Sequence, residues 1–115
     1  MLKKKVKKIL PNASIITCKR ADEALNIAKQ QSFDVLITEI DFGCEKEEGI
    51  LLAQAIKALN PHVNIIFVTA GSFRDYAQRL VKLRYSGYLT KPFGMEELRE
   101  ELSNLRYDAD KYETV

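Results

Sequence analysis

The run NIIFVTA, residues 64–70, constrains the fold more than any other stretch of this chain. It is almost continuously apolar and rich in β-branched residues. It lacks the strict alternation of a strand with one wet face, and it is too short for a helix. Such a run suits a strand covered on both faces, and sheets covered on both faces are mostly parallel ones. VLITEI, residues 35–40, has the same character, and GYLT, 87–90, is a shorter version. Between them lie GILLAQAIKALN, 49–60, a helical pattern ended by Asn60 and Pro61, and SFRDYAQRLVKLRY, 72–85, also helical. Buried strands separated by helix-length segments predict a parallel sheet with helices on both faces.

The flanks extend the pattern. LKKKVKKIL, residues 2–10, places Leu2, Val6, Ile9 and Leu10 on one helical face and five lysines on the rest, and Pro11 with Asn12 ends it. SIITC, 14–18, is β-branched and predicts a strand. RADEALNIAKQQ, 20–31, spaces Ala24, Leu25, Ile27 and Ala28 as a helix, with Asp22 as its start signal. Lys91-Pro92 breaks the chain after GYLT, and GMEELREELSNLR, 94–106, predicts a last helix. The expected order is α-β-α-β-α-β-α-β-α, one α/β domain over residues 1–106 followed by a polar tail over 107–115.

Composition narrows the function. Net charge is +2 over 115 residues, which points to neither a nucleic-acid nor a membrane partner within this chain. The short lysine run lacks aromatic partners and reads as a solvated helix face. No apolar run approaches the roughly 18–20 residues of a membrane span, and no signal-peptide core follows the first lysines, so a cytoplasmic location is expected. Cys18 and Cys44 have no CxxC spacing and read as reduced thiols. His62 is the sole histidine, which excludes a His-based triad or a multi-His metal site. Neither GxGxxG nor a Walker motif is present, so nucleotide binding is disfavoured.

In a doubly wound sheet the functional loops follow the carboxyl ends of the strands. Those ends carry Glu39 and Asp41, Thr69 and Ala70, and Thr90 and Lys91. A carboxylate, a hydroxyl and an ammonium brought together can bind an anion, help hold a divalent cation, or accept a phosphoryl group as an acyl phosphate. The plainer alternative is that Lys91 pairs with an acid and Thr69 bonds the backbone at its strand end.

From Ser14 to Arg106 the sequence resembles the receiver domain of two-component response regulators, with a flavodoxin/CheY-like doubly wound parallel sheet. The stretch ADEALNIAKQQSFDVLITEI is similar to the family's second helix and third strand, NPHVNIIFVTA to its fourth strand, and SGYLTKPF to its fifth-strand signature. The resemblance implies roles for Thr69 as the switch threonine, Tyr88 as the switch aromatic and Lys91 as the phosphate-contacting lysine. It also implies a cis bond before Pro92. Thr69 and Lys91 stand 22 residues apart, the family's usual interval.

Two departures qualify what the resemblance implies. Counting from upstream puts Glu39 in the place of the phosphoacceptor aspartate. Counting back from Gly49, however, favours Asp41, eight residues earlier rather than ten. Either the loop DFGCEKEEG carries a two-residue insertion, the preferred reading, or Asp41 has become the acceptor. The second departure is the opening strand with its acidic, magnesium-holding pair. The chain begins at what corresponds to the end of the family's first helix, and Asp22 and Asp34 lie elsewhere in the pattern. No cofactor is therefore expected, and magnesium binding is in doubt. In the family's strand order 2-1-3-4-5 the absent element is central. The segment at 14–18 then either pairs directly with 35–40 or leaves an edge that recruits a second chain.

The expected function is a degenerate, non-enzymatic receiver in two-component (phosphorelay) signalling, acting as a phosphorylation-independent interaction module. Its implied partners are other signalling proteins, a histidine kinase or an output domain, with homo-oligomers as a further possibility. The contact face would be the 72–85 helix, the 87–90 strand and the last helix, offering Tyr76, Tyr85, Tyr88, Arg79 and Arg84. The alternative is a phosphorylatable receiver using Asp41 with Thr69 and Lys91.

Overall fold

A computed structural model describes residues 2–41, 48–71 and 73–105, and the side chains of residues 73–75 are not described. Its elements are α1 (Leu2–Ile9), α2 (Ala21–Gln30), β1 (Val35–Glu39), α3 (Glu48–Leu59), β2 (Asn64–Thr69), α4 (Phe73–Leu80), a 3₁₀ turn (Val81–Leu83), β3 (Gly87–Thr90) and α5 (Met95–Ser103). The three strands are parallel in the order β1-β2-β3, with Ile37 opposite Ile66 and Thr69 opposite Thr90.

β2 explains why its sequence shows no wet face. All six of its residues are buried. Its side chains still alternate: Ile65 and Phe67 enter one core cluster, and Ile66 and Val68 enter the other. The first cluster joins α2, α3 and the end of α4 through Ala21, Ile50, Ala53, Ile56 and Leu80. The second joins α1 and α5 through Val6, Leu98 and Leu102. Helices thus cover both faces, as the sequence implied.

Three local features set the helix ends. Gly94 caps α5, and its N–H donates to the Glu97 carboxylate at 3.1 Å, so a residue of α5's own first turn satisfies the cap. α4 is shorter than the expected 72–85 helix. It tightens into the 3₁₀ turn, after which Arg84 takes a left-handed φ of 52°. That reversal lets Tyr85 fold back edge-on against Phe67, with ring centroids 6.0 Å apart. Gly49, in the first turn of α3, lies against the end of β1. A Cβ there would fall 1.7 Å from the Glu39 carbonyl oxygen, so only glycine admits so close an approach.

The expected strand at Ser14–Cys18 does not form. Among the described residues β1 pairs with β2 alone, so the segment does not pair directly with 35–40. β-branched composition favours a strand only where a neighbouring ladder rewards it. Here Ile15 packs against the second cluster while Ile16 remains 54% exposed. The chain uses this stretch to pass from the α1 face to the α2 face. Among the described residues no helix is long and apolar enough to cross a membrane. Cys44, most of the 41–49 loop, Arg106 and the polar tail lie outside the described residues.

Candidate functional site

The carboxyl ends of the three strands meet at one edge of the sheet. Glu39 is the last residue of β1 and sits opposite Val68. The ladder runs one residue further, the Ile40 N–H donating to the Val68 carbonyl at 3.1 Å. On the other side the Lys91 N–H donates to the Thr69 carbonyl at 2.8 Å. The peptide bond between Lys91 and Pro92 is cis. Backbone pairing therefore fixes where the chain leaves each strand, and it brings Glu39 and Lys91 together across β2.

The side chains complete this arrangement. Lys91 Nζ donates to Glu39 Oε1 at 2.5 Å, with the two side chains 45% and 48% exposed. Thr69 is buried, and its hydroxyl oxygen accepts the Gly71 N–H at 3.0 Å. This local bond holds the turn that leads into α4. The two candidate acids have separate partners. Asp41 is half-buried, and the Tyr76 hydroxyl of α4 donates to its Oδ2 at 2.9 Å. Gly71 lies in ordinary to tight contact with this pair: a Cβ there would meet the Tyr76 ring at 3.3 Å and Thr69 Oγ1 at 3.5 Å.

Tyr88 packs its half-buried ring against the first core cluster, with the hydroxyl itself buried. Its backbone N–H, on the outer strand, donates to Glu101 Oε1 of α5 at 2.9 Å. Tyr76 and Tyr85 are half-buried against the same cluster, so the three tyrosines expected on a contact face serve mainly as packing, while Arg79 and Arg84 are exposed. Burial, and then the Glu101 carboxylate, push the Tyr85 hydroxyl above its ordinary pKa. The bonds made by Tyr76 and Glu101 had no signal in the sequence. Each links residues far apart in the chain, and neither residue stands in a motif.

Among the described residues the donors do not gather into a magnesium site. Magnesium requires several oxygen ligands in octahedral array. Among the described residues no group of three or more His, Cys, Asp or Glu side chains gathers where it could hold a metal. Asp22 is engaged with Arg20 on the surface, and Asp34 is exposed at the far end of β1.

The family model described as the response regulator receiver domain matches residues 2–103. The chemotaxis protein CheY of Pseudomonas aeruginosa is 28% identical over 105 residues, covering 87% of this chain and 83% of that protein. The transcriptional regulatory protein RprY of Bacteroides fragilis is 42% identical over 53 residues, which is 46% of this chain and 22% of that protein. This chain likewise spans 18% of the length of ZraR from Salmonella typhimurium, at 31% identity over 80 residues. Among solved structures, CheY4 of Vibrio cholerae superposes with a TM-score of 0.75 at 22% identity, covering 90% of this chain and 88% of that one. A receiver domain from Clostridium thermocellum gives the same TM-score at 24% identity, covering 95% and 88%.

Proposed function

The chain belongs to the response-regulator receiver family, and from that premise we propose that it is a degenerate receiver whose signalling contacts do not depend on phosphorylation. One observation carries the reading: Lys91 Nζ already binds a carboxylate, Glu39 Oε1, at 2.5 Å. Glu39 holds the place the family gives to its acceptor aspartate, and its extra methylene brings the charge to the lysine. In that position it imitates part of a phosphoryl group, with one negative charge in place of roughly 1.5–2. Thr69 and Tyr88 keep the positions of the family's switch residues, and Pro92 follows Lys91 as in its signature. The chain acts by binding rather than by catalysis, and its partners are a histidine kinase or an output domain.

A second reading makes Asp41 the acceptor. Its support is the Tyr76 hydroxyl, a donor already placed at 2.9 Å from the carboxylate and equally able to serve a phosphoryl oxygen. Intact mass after incubation with acetyl phosphate and magnesium separates the two. The degenerate reading expects no adduct on the folded wild-type chain. An adduct of one phosphoryl group that disappears in Asp41→Asn overturns it in favour of the second.

A further inference from the structure

The charge of this chain is segregated in a way its net value hides. Residues 1–20 hold seven basic residues and no acid, so with +2 overall the remaining residues carry a net −5. Five of the seven lie on α1, whose sequence is LKKKVKKI. Four of the acids lie on α5, MEELREELS, against a single arginine. These two helices cover the same face of the sheet and pack side by side over the second core cluster. Lys5 Nζ lies 5.4 Å from the ring of Phe93, two residues before α5 begins.

Both charged stripes face outward. Lys4 and Lys8 are exposed one helical turn apart on α1, and Glu96 and Glu100 are exposed one turn apart on α5. Among the described residues no ion pair joins the two helices, and the ion pair on α5 is its own, Arg99 to Glu96 at 3.2 Å. Between the stripes, Leu2, Ile9 and Phe93 are only half-buried and form an apolar floor.

A polyanion is a poor occupant of this face. A nucleic acid laid along α1 would run beside the α5 carboxylates, and among the described residues the one ring on this face, Phe93, is half-buried beneath Lys5. A surface with adjacent positive and negative stripes is instead complementary to itself. A two-fold axis running between α1 and α5 sets each α1 over the α5 of the other copy, so every stripe meets its opposite twice. We propose that two copies of this chain associate face to face through α1 and α5, with Leu2, Ile9 and Phe93 at the centre and ion pairs at the rim. The proposal stands apart from the reading of Glu39 and Asp41, because neither residue lies on this face.

Exposed ion pairs are screened over about 10 Å at 0.1 M salt, so the dimer is salt-sensitive. Sedimentation equilibrium of the full chain tests it. The dimer forms at low salt, and its dissociation constant rises about tenfold or more between roughly 50 and 500 mM salt. Lys4→Glu with Lys8→Glu, and separately Glu96→Lys with Glu100→Lys, each give a monomer with unchanged circular dichroism. Mixing the two charge-reversed chains restores a dimer, because every stripe again meets its opposite. A wild-type chain that stays monomeric at low salt, including one that binds a mixed-sequence RNA oligomer instead, overturns the proposal. So does a dimer that survives either reversal, or a mixture that fails to recover one.

Discussion

Gly49→Ala puts a single methyl group where the structure has no room for it. The added Cβ would lie 1.7 Å from the Glu39 carbonyl oxygen, 2.7 Å from its carbonyl carbon and 3.0 Å from Ile40 Cα. All three neighbours are backbone atoms, so no rotamer change relieves the clash. Reaching a 3.0 Å separation moves the start of α3 by about 1.3 Å, which is costly in a close-packed core. It also strains the bond in which the Gly49 N–H donates to the Ile40 carbonyl at 2.8 Å. Overpacking of this kind costs about 1–3 kcal/mol, and losing the bond adds about 1 kcal/mol. Helix propensity works the other way, since alanine is better than glycine by up to about 1 kcal/mol. The clash wins, leaving a net loss of about 2 kcal/mol. Urea denaturation followed by circular dichroism should show a midpoint lowered by about 1–2 M. Leu51→Ala is the control: it is a neighbouring α3 residue, 64% exposed, and should change stability by less than about 0.5 kcal/mol. A Gly49→Ala midpoint equal to or above wild type would refute the close-approach argument and leave propensity as the deciding term.

Two smaller perturbations probe the strand ends and the tyrosines. Glu101→Ala removes the acceptor for the Tyr88 N–H and should cost about 1–3 kcal/mol, read as a lowered thermal midpoint, whereas Glu97→Ala should lose only the weaker cap at Gly94. The pKa of Tyr85 is raised in the fold by burial and by Glu101, so its neutral form is favoured there. Its contribution is complete below the unfolded-state tyrosine pKa of about 10 and is lost as pH climbs through the higher folded value. Tyr85→Phe should therefore flatten the alkaline limb of the stability profile, and an unchanged limb would show that the burial is not felt by the hydroxyl.

The sequence was most legible where periodicity and packing agree. β2 could be identified because six consecutive buried residues leave no wet face, and the residue-by-residue alternation between the two clusters is what a doubly covered strand requires. The pairing of Lys91 with an acid was also legible, because strand ends in a parallel sheet converge and Glu39 closes β1. Ser14–Cys18 misled for a definable reason. Its β-branched side chains describe a preference that only a neighbouring strand can realise, and that information lies outside the segment. The 3₁₀ turn at Val81–Leu83 was hidden in the same way. Val81 is 73% exposed and Leu83 buried, a contrast set by Tyr85 folding back on Phe67 rather than by local propensity. Tyr76 with Asp41 and Glu101 with Tyr88 were invisible because each pair is assembled by the fold alone.

The site and the charged face divide the electrostatic work of the molecule. At the strand ends Glu39 and Lys91 cancel each other at contact distance, and both are near half exposure, so water and salt damp what field remains. That pair by itself presents little net charge to a partner approaching from solution. The stronger field comes from α1 and α5, where like charges repeat along each helix with no ion pair between the two among the described residues. Long-range attraction scales with such uncompensated stripes, whereas specificity at short range comes from shape and hydrogen bonds. Association steered by the helices need not pass through the strand ends at all. Reversing charges on α1 should therefore change how fast and how tightly copies meet, while Glu39→Gln should leave that unchanged and alter only what happens around Lys91.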